Sequence, residues 1–240
     1  MSAAFLTGMV SAWALTQVGL GVYFMLAYVV GRREREFFLF SLLCLSFSIA
    51  SVGIALDYVT SGPDARAFSD LVTYAGLILA SAFNVHFALE FAKVERRRQI
   101  AIVLYVLVTL FEVLLFAGTF FSDYRLIEVE LFGSIVAHGV GQPTIVGQLF
   151  HLLGLIQAGA AIVLLVRAYR AGRREALSAL VGVMLCVPAI GNDVAMVVGG
   201  FKSLSLLPHA FLMYAFGVAG TLLLRYRVAS GELEHTATSL

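Results

Sequence analysis

Hydrophobic positions gather into seven long runs, about Ala4–Val30, Phe37–Val59, Ser69–Ala92, Ile100–Phe121, Val146–Val166, Ala176–Gly199 and Leu206–Leu224. Each is roughly 19 to 27 residues long. A helix needs about 20 apolar residues to cross the hydrocarbon core of a bilayer. With no water there to satisfy backbone N–H and C=O groups, a spanning segment must pair them internally. The pattern predicts an all-α integral membrane protein, a seven-transmembrane helix bundle.

One connection breaks the rule of short polar loops. Within Ser122–Ile145, the stretch Arg125–Phe132 alternates, with Glu128 and Glu130 on one face and Ile127, Val129 and Leu131 on the other. That is the period of a strand. With Gly133 and Ser134 as a turn and Ile135–His138 as a return strand, it predicts a small β-hairpin between helices 4 and 5, over the outer mouth of the bundle. An irregular loop is the alternative.

Composition supports a membrane bundle. Hydrophobic residues make up 60% of the 240 and charged residues 13%, too little charge for a soluble surface of this size. A net charge of +1 gives no reason to expect nucleic acid. Charge placement decides more. The segments after runs one, three, five and seven hold 13 of the 16 basic residues: Arg32, Arg33, Arg35; Lys93, Arg96, Arg97, Arg98; Arg167, Arg170, Arg173, Arg174; Arg225, Arg227. The other side holds Arg66, Arg125 and Lys202. By the positive-inside rule the rich side is cytoplasmic, which puts the N-terminus outside and the C-terminus inside. Run one lacks the basic leader of a signal peptide and is too long for one. Cys44 and Cys186 lie inside runs, where cysteine behaves as a small apolar residue.

Pro188 lies inside run six and should bend its helix, because it removes one donor. Small residues recur at helix-packing spacings: Gly154 and Ala158, Ala215 and Ala219, Gly217 and Thr221. After Leu224 the chain continues as a polar helix through Arg225 and Arg227, fraying over Thr236–Leu240. This divides the chain into a seven-helix domain, 1–228, and a cytoplasmic linker stub, 229–240.

Ionisable groups inside a membrane are expensive, and so point to function. At about 1.5 Å per residue, Glu112 lies roughly 18 Å from the cytoplasmic end of run four, and Asp193 roughly 25 Å up run six. Asp57 is near the outer end of run two, His151 near the outer start of run five, and His209 at the outer start of run seven. Asn192 adjoins Asp193, and Gln157 is near mid-depth in run five. These groups crowd the outer half, as they would around a cavity open to the outside that holds a small polar ligand. For Asp57 and His209 the alternative is the water interface; for Glu112 and Asp193 it is structural hydrogen bonding. His86 and Glu90 share a helix face four residues apart. They form either a relay toward the cytoplasm or, for Glu90, an interfacial ion pair with Lys93. No catalytic or metal-site motif stands out, and no cofactor is expected.

Three stretches resemble the N-terminal seven-transmembrane sensor region of bacterial histidine kinases. They are Tyr74-Ala75-Gly76 with His86-Phe87-Ala88-Leu89-Glu90-Phe91; Pro188-Ala189-Ile190-Gly191-Asn192; and Leu207-Pro208-His209-Ala210-Phe211 leading to Leu224-Arg225-Tyr226-Arg227-Val228. The resemblance covers nearly the whole chain. It implies the sensor portion of a two-component histidine kinase in the cytoplasmic (inner) membrane, not an enzyme in itself. Its PAS and kinase domains would lie beyond this sequence. The partners implied are the lipid bilayer, an unknown small-molecule ligand and a cytoplasmic kinase or output domain; a homodimer is compatible with this. Helix 7, joined directly to the cytoplasmic tail, would carry the output. A small transporter is the alternative, although runs one to three and five to seven share no motif. A retinal protein would need a Schiff-base lysine in run seven, which has none.

Overall fold

Each apolar run folds into one helix, and the helix ends are set by local chemistry. In the computed structural model, which describes residues 3–31, 33–60, 62–131, 134–198 and 202–238, the order is α1 (Ala3–Val30), α2 (Arg35–Asp57), α3 (Pro63–Phe91), α4 (Arg97–Phe116), β1 (Phe121–Leu131), β2 (Ser134–Pro143), α5 (Ile145–Arg170), α6 (Ala176–Val198) and α7 (Leu207–Thr238). Helices α3, α4 and α5 end in the same way. The chain turns left-handed at Lys93, Gly118 and Gly172. The next N–H then reaches back to an orphan carbonyl: Val94 to Leu89, Thr119 to Leu114 and Arg173 to Ala168. Pro63 sits in the first turn of α3, where its missing N–H costs nothing. That start extends α3 at its N-terminal end beyond the predicted Ser69.

Helices α1 to α6 are each long and apolar enough to cross a membrane, and α7 adds a shorter apolar stretch, Leu207–Leu223. The protein is a mostly helical membrane bundle. Its exposed apolar side chains agree, with Leu15, Val106, Val113, Ile156 and Val163 facing outward. α6 runs unbroken across Pro188.

α2 is the central post. In its most apolar stretch 72% is buried, against 22% for α1, α4 and α5. It packs on α1, α3 and α7; α5 bridges α3 and α6; α4 lies mainly against α3. The α2–α3 crossing is close because Gly76 meets Ala50 and Ser46, and Gly53 meets Ser69 and Thr73, with no room for a Cβ at either glycine. Buried serines on α2 return their hydroxyls to backbone or side-chain partners, Ser41 to the Gly21 carbonyl and Ser51 to Gln17.

The bundle is filled unevenly. Toward its arginine-rich end, Phe24, Phe37, Phe40, Phe87 and Phe91 pack into a closed aromatic core. At the opposite end the two strands pair antiparallel, with Ile127 across from His138 and Val129 across from Val136. Ile127 and Val140 pack on Met196 of α6, while Glu128 and Glu130 are exposed. Thr144 joins the base of the hairpin to α5. Its hydroxyl donates to the Thr119 carbonyl at 2.5 Å and accepts from the Gly147 N–H at 3.4 Å, capping the helix. The predicted turn at Gly133 lies outside the described residues.

Candidate ligand-binding cavity

Beneath β2 lies a cavity of about 210 Å³, walled by α2, α3, α5, α6 and α7. The α3 wall is a stripe at helical spacing: Asp70, Thr73 and Tyr74, Leu77, Ser81, Asn84. α5 adds His151, Gly154, Gln157 and Ala158; α6 adds Cys186, Ile190 and Asp193; α7 adds Leu207, Phe211 and Tyr214. Stacked Phe47 and Phe211, 4.1 Å between centroids, stand between the cavity and the aromatic core.

Most polar groups of the wall are already engaged. Asp57 is buried and takes the Gly139 N–H on both oxygens, at 3.1 and 3.2 Å. Asp70 lies against the Gly141 backbone one residue pair further along the strand. A side chain at Gly139 or Gly141 would collide with Arg66, Phe121 and Asp70, so glycine is required for β2 to lie this low over the carboxylates. Beside them, burial together with the Asp70 carboxylate pushes the Tyr124 phenol up to about 12, so it stays neutral. Asp193 is clamped by the Ser205 hydroxyl at 2.5 Å, the Leu206 N–H at 3.1 Å and the Asn192 amide at 2.9 Å. Its charge thus sits at the N-terminal end of α7, where the helix dipole favours an anion.

Deeper in, His151 Nδ1 is 2.7 Å from the Gly147 carbonyl, which can only accept, so Nδ1 carries the proton. In the Nδ1–H tautomer, Nε2 accepts from the Tyr74 hydroxyl, 3.1 Å away. Tyr214 donates to Asn84 Oδ1 at 2.7 Å, tying α7 to α3 across the cavity floor. Gln157 is 5% exposed, and neither of its polar atoms has a partner.

This membrane region can be placed among known proteins. The family described as the N-terminal 7TM region of histidine kinase matches residues 9–230. The chain belongs to that family. No curated protein matches it. The matched region is the non-catalytic, membrane-embedded part of such kinases.

In this histidine-kinase membrane region, Asp57, His151, Gln157 and Asp193 come together on the cavity wall, while Glu112, Asn192 and His209 do not line it. Glu112 is carried by α4, which packs on the outer side of α3, and one of its oxygens is buried without a partner. Asn192 is turned about 100° from Asp193 by helix geometry and spans instead to the Leu204 carbonyl at 2.9 Å. His209 faces α1, with its ring edge-on to Trp13 at 6.3 Å. The spacing of Gly154 and Ala158 suggests helix packing, yet both border the cavity, and a Cβ at Gly154 meets nothing within 4 Å.

At the arginine-rich end His86 and Glu90 stand 3.9 Å apart. Glu90 pairs with Arg97 at 2.9 Å and Arg35 at 3.6 Å rather than with Lys93, whose left-handed backbone turns the chain away at the end of α3. His86 binds the Tyr105 hydroxyl of α4 at 2.7 Å. Together these contacts join the starts of α2 and α4 to the end of α3.

Asp70, Tyr74, Asn84 and Tyr214 are among the polar wall residues that depth along a span did not reveal. Tyr74 and Asn84 were readable as polar positions on one stripe of run three. Asp70 looks like a surface charge beside Arg66 until β2 covers it.

Proposed function

We propose that this chain is the sensor module of a two-component histidine kinase, that the cavity beneath β2 takes a small ligand, and that α7 carries the response to the cytoplasm. The observation that supports this is the double role of α7. Its Leu207, Phe211 and Tyr214 form one wall of the cavity, and the same helix continues unbroken to Thr238. At about 1.5 Å per residue its 32 residues span roughly 48 Å, more than a bilayer core. Tyr214 joins α7 to three other helices. It contacts Asn84 of α3, Phe47 of α2 and Gly182 of α6. A ligand switches such a bundle only by binding two arrangements of these contacts with different affinity.

In this reading the β-hairpin lies outside, the arginine-rich end lies in the cytoplasm, and the protein sits in the inner membrane. Residues 1–228 form the sensor domain and 229–240 a linker to an output domain. Asp57, His151, Gln157 and Asp193 serve the ligand site, and His86 with Glu90 stabilises or relays at the inner end. The orientation is tested by cysteine labelling, since Cys44 and Cys186 are buried. Glu128→Cys should react with an impermeant reagent from outside and Gly172→Cys only from inside. Labelling of Gly172→Cys from outside overturns the orientation.

The output role is tested in a fusion carrying a known kinase output domain after Leu240, assayed across medium pH, osmolarity and conditioned medium. Where α6 begins, α7 crosses it closely: a Cβ at Gly217 would lie 3.0 Å from the Ser178 carbonyl, and Thr221 touches the Ser178 hydroxyl. Gly217→Leu should therefore fix kinase activity at one level while membrane expression persists. Normal switching in that variant places the signal on another path.

A further inference from the structure

We infer that the cavity takes a small uncharged amphiphile whose head carries a hydrogen-bond donor and an acceptor side by side, a primary amide being the simplest case, held by Gln157. This rests on the sensor reading above and names the ligand class of the same site. Gln157 is, among the described residues, the buried cavity-lining side chain left with both a donor and an acceptor unused. Burying an amide without partners is costly, so a side chain in that state on a cavity wall is poised for an occupant. A head that accepts from Nε2 and donates to Oε1 matches it in both directions.

The charged alternatives fit less well. Asp57 and Asp193 accept from Gly139, Ser205, Leu206 and Asn192. Asp70 lies against the Gly141 backbone. A cation would compete with these donors for carboxylate lone pairs already in use. An anion would meet three carboxylates. Gln157, about 18 Å along α5 from its start, sits deeper than the hairpin and shares the cavity wall with Phe47, Leu77, Val183, Cys186, Ile190 and Phe211. Leaving a charge unpaired there is far costlier than burying a neutral head that is hydrogen-bonded. Size sets the body. A dry cavity of about 150 Å³ holds benzene, so about 210 Å³ suits a chain or ring of about six carbons with its head.

The test uses the full chain in lipid nanodiscs, with empty nanodiscs subtracted, and three probes sharing a six-carbon body: hexanamide, hexylammonium and hexanoate at neutral pH. Hexanamide should bind saturably and at least tenfold more tightly than either charged probe. Gln157→Met, close in volume but unable to donate or accept, should weaken hexanamide about tenfold. Gly154→Leu, whose side chain enters open space, should abolish binding while the protein stays folded. Tighter binding of hexylammonium overturns the inference. So does saturable hexanamide binding that Gln157→Met leaves unchanged, which would mean that water alone partners Gln157. Absence of saturable hexanamide binding overturns it too. Failure of the sensor reading looks different: hexanamide then binds as described, but the kinase fusion does not respond to it.

Discussion

The same residue type does opposite things at two helix walls. On α2 and α3, Gly53 and Gly76 sit where a Cβ would fall inside the neighbouring backbone, and the crossing is sealed. On α5, Gly154 and Gly159 meet nothing within 4 Å, and at Gly154 the space is the cavity. Small residues thus build a rigid post on one side of the bundle and leave room on the other. A bistable element needs both: a fixed frame and a wall that tolerates two packings. α7 meets both, through Phe211 stacked on Phe47 of α2 and through Tyr214 on the cavity that Gly154 borders.

The harshest way to break this contrast is Gly76→Leu. Its Cβ alone would lie 2.4 Å from the Ala50 nitrogen. Overpacking of that kind costs about 3 kcal/mol or more, and the expected result is loss of monodisperse protein on size exclusion and a sharply lower Tm. Gly154→Leu, measured alongside, should keep the wild-type Tm or raise it. Equal damage from the two substitutions would remove the distinction between post and wall.

A smaller effect is expected at the lid. Asp57→Ala leaves the buried Gly139 N–H without its acceptor, a loss of about 1–3 kcal/mol. It should act locally, with faster amide exchange at Gly139–Gly141 and an unchanged rate in the middle of α2. Slow exchange at Gly139 in the variant would mean that β2 is held down by other contacts.

The helical spans were readable from sequence because an apolar run of about 20 residues has few other ways to fold in lipid. The match of α1 to α6 to the predicted runs reflects that. Which polar groups meet was much less readable. It depends on helix neighbours and on phase, neither of which depth along a span reveals. Glu112 and Asp193 both fall in the half of their runs away from the arginine-rich end, yet α4 stands behind α3 while α6 faces the cavity. Asn192 and Asp193 are adjacent, yet only Asp193 lines it. Sequence pairs Glu90 with its neighbour Lys93, but its partners are Arg35 and Arg97, the first residues of α2 and α4. The His86–Glu90 pair was visible because it is local to one helix.

The most direct test of the central claim, that occupancy of the cavity sets the state of α7, compares two leucines on one helix. In the fusion carrying a kinase output domain after Leu240, Gly154→Leu fills the cavity, while Gly159→Leu enters open space outside it. Autophosphorylation is measured at matched membrane expression. The account predicts that Gly154→Leu shifts kinase activity several-fold and makes it insensitive to conditioned medium, with Gly159→Leu matching wild type. Wild-type activity and wild-type responsiveness in Gly154→Leu would contradict it.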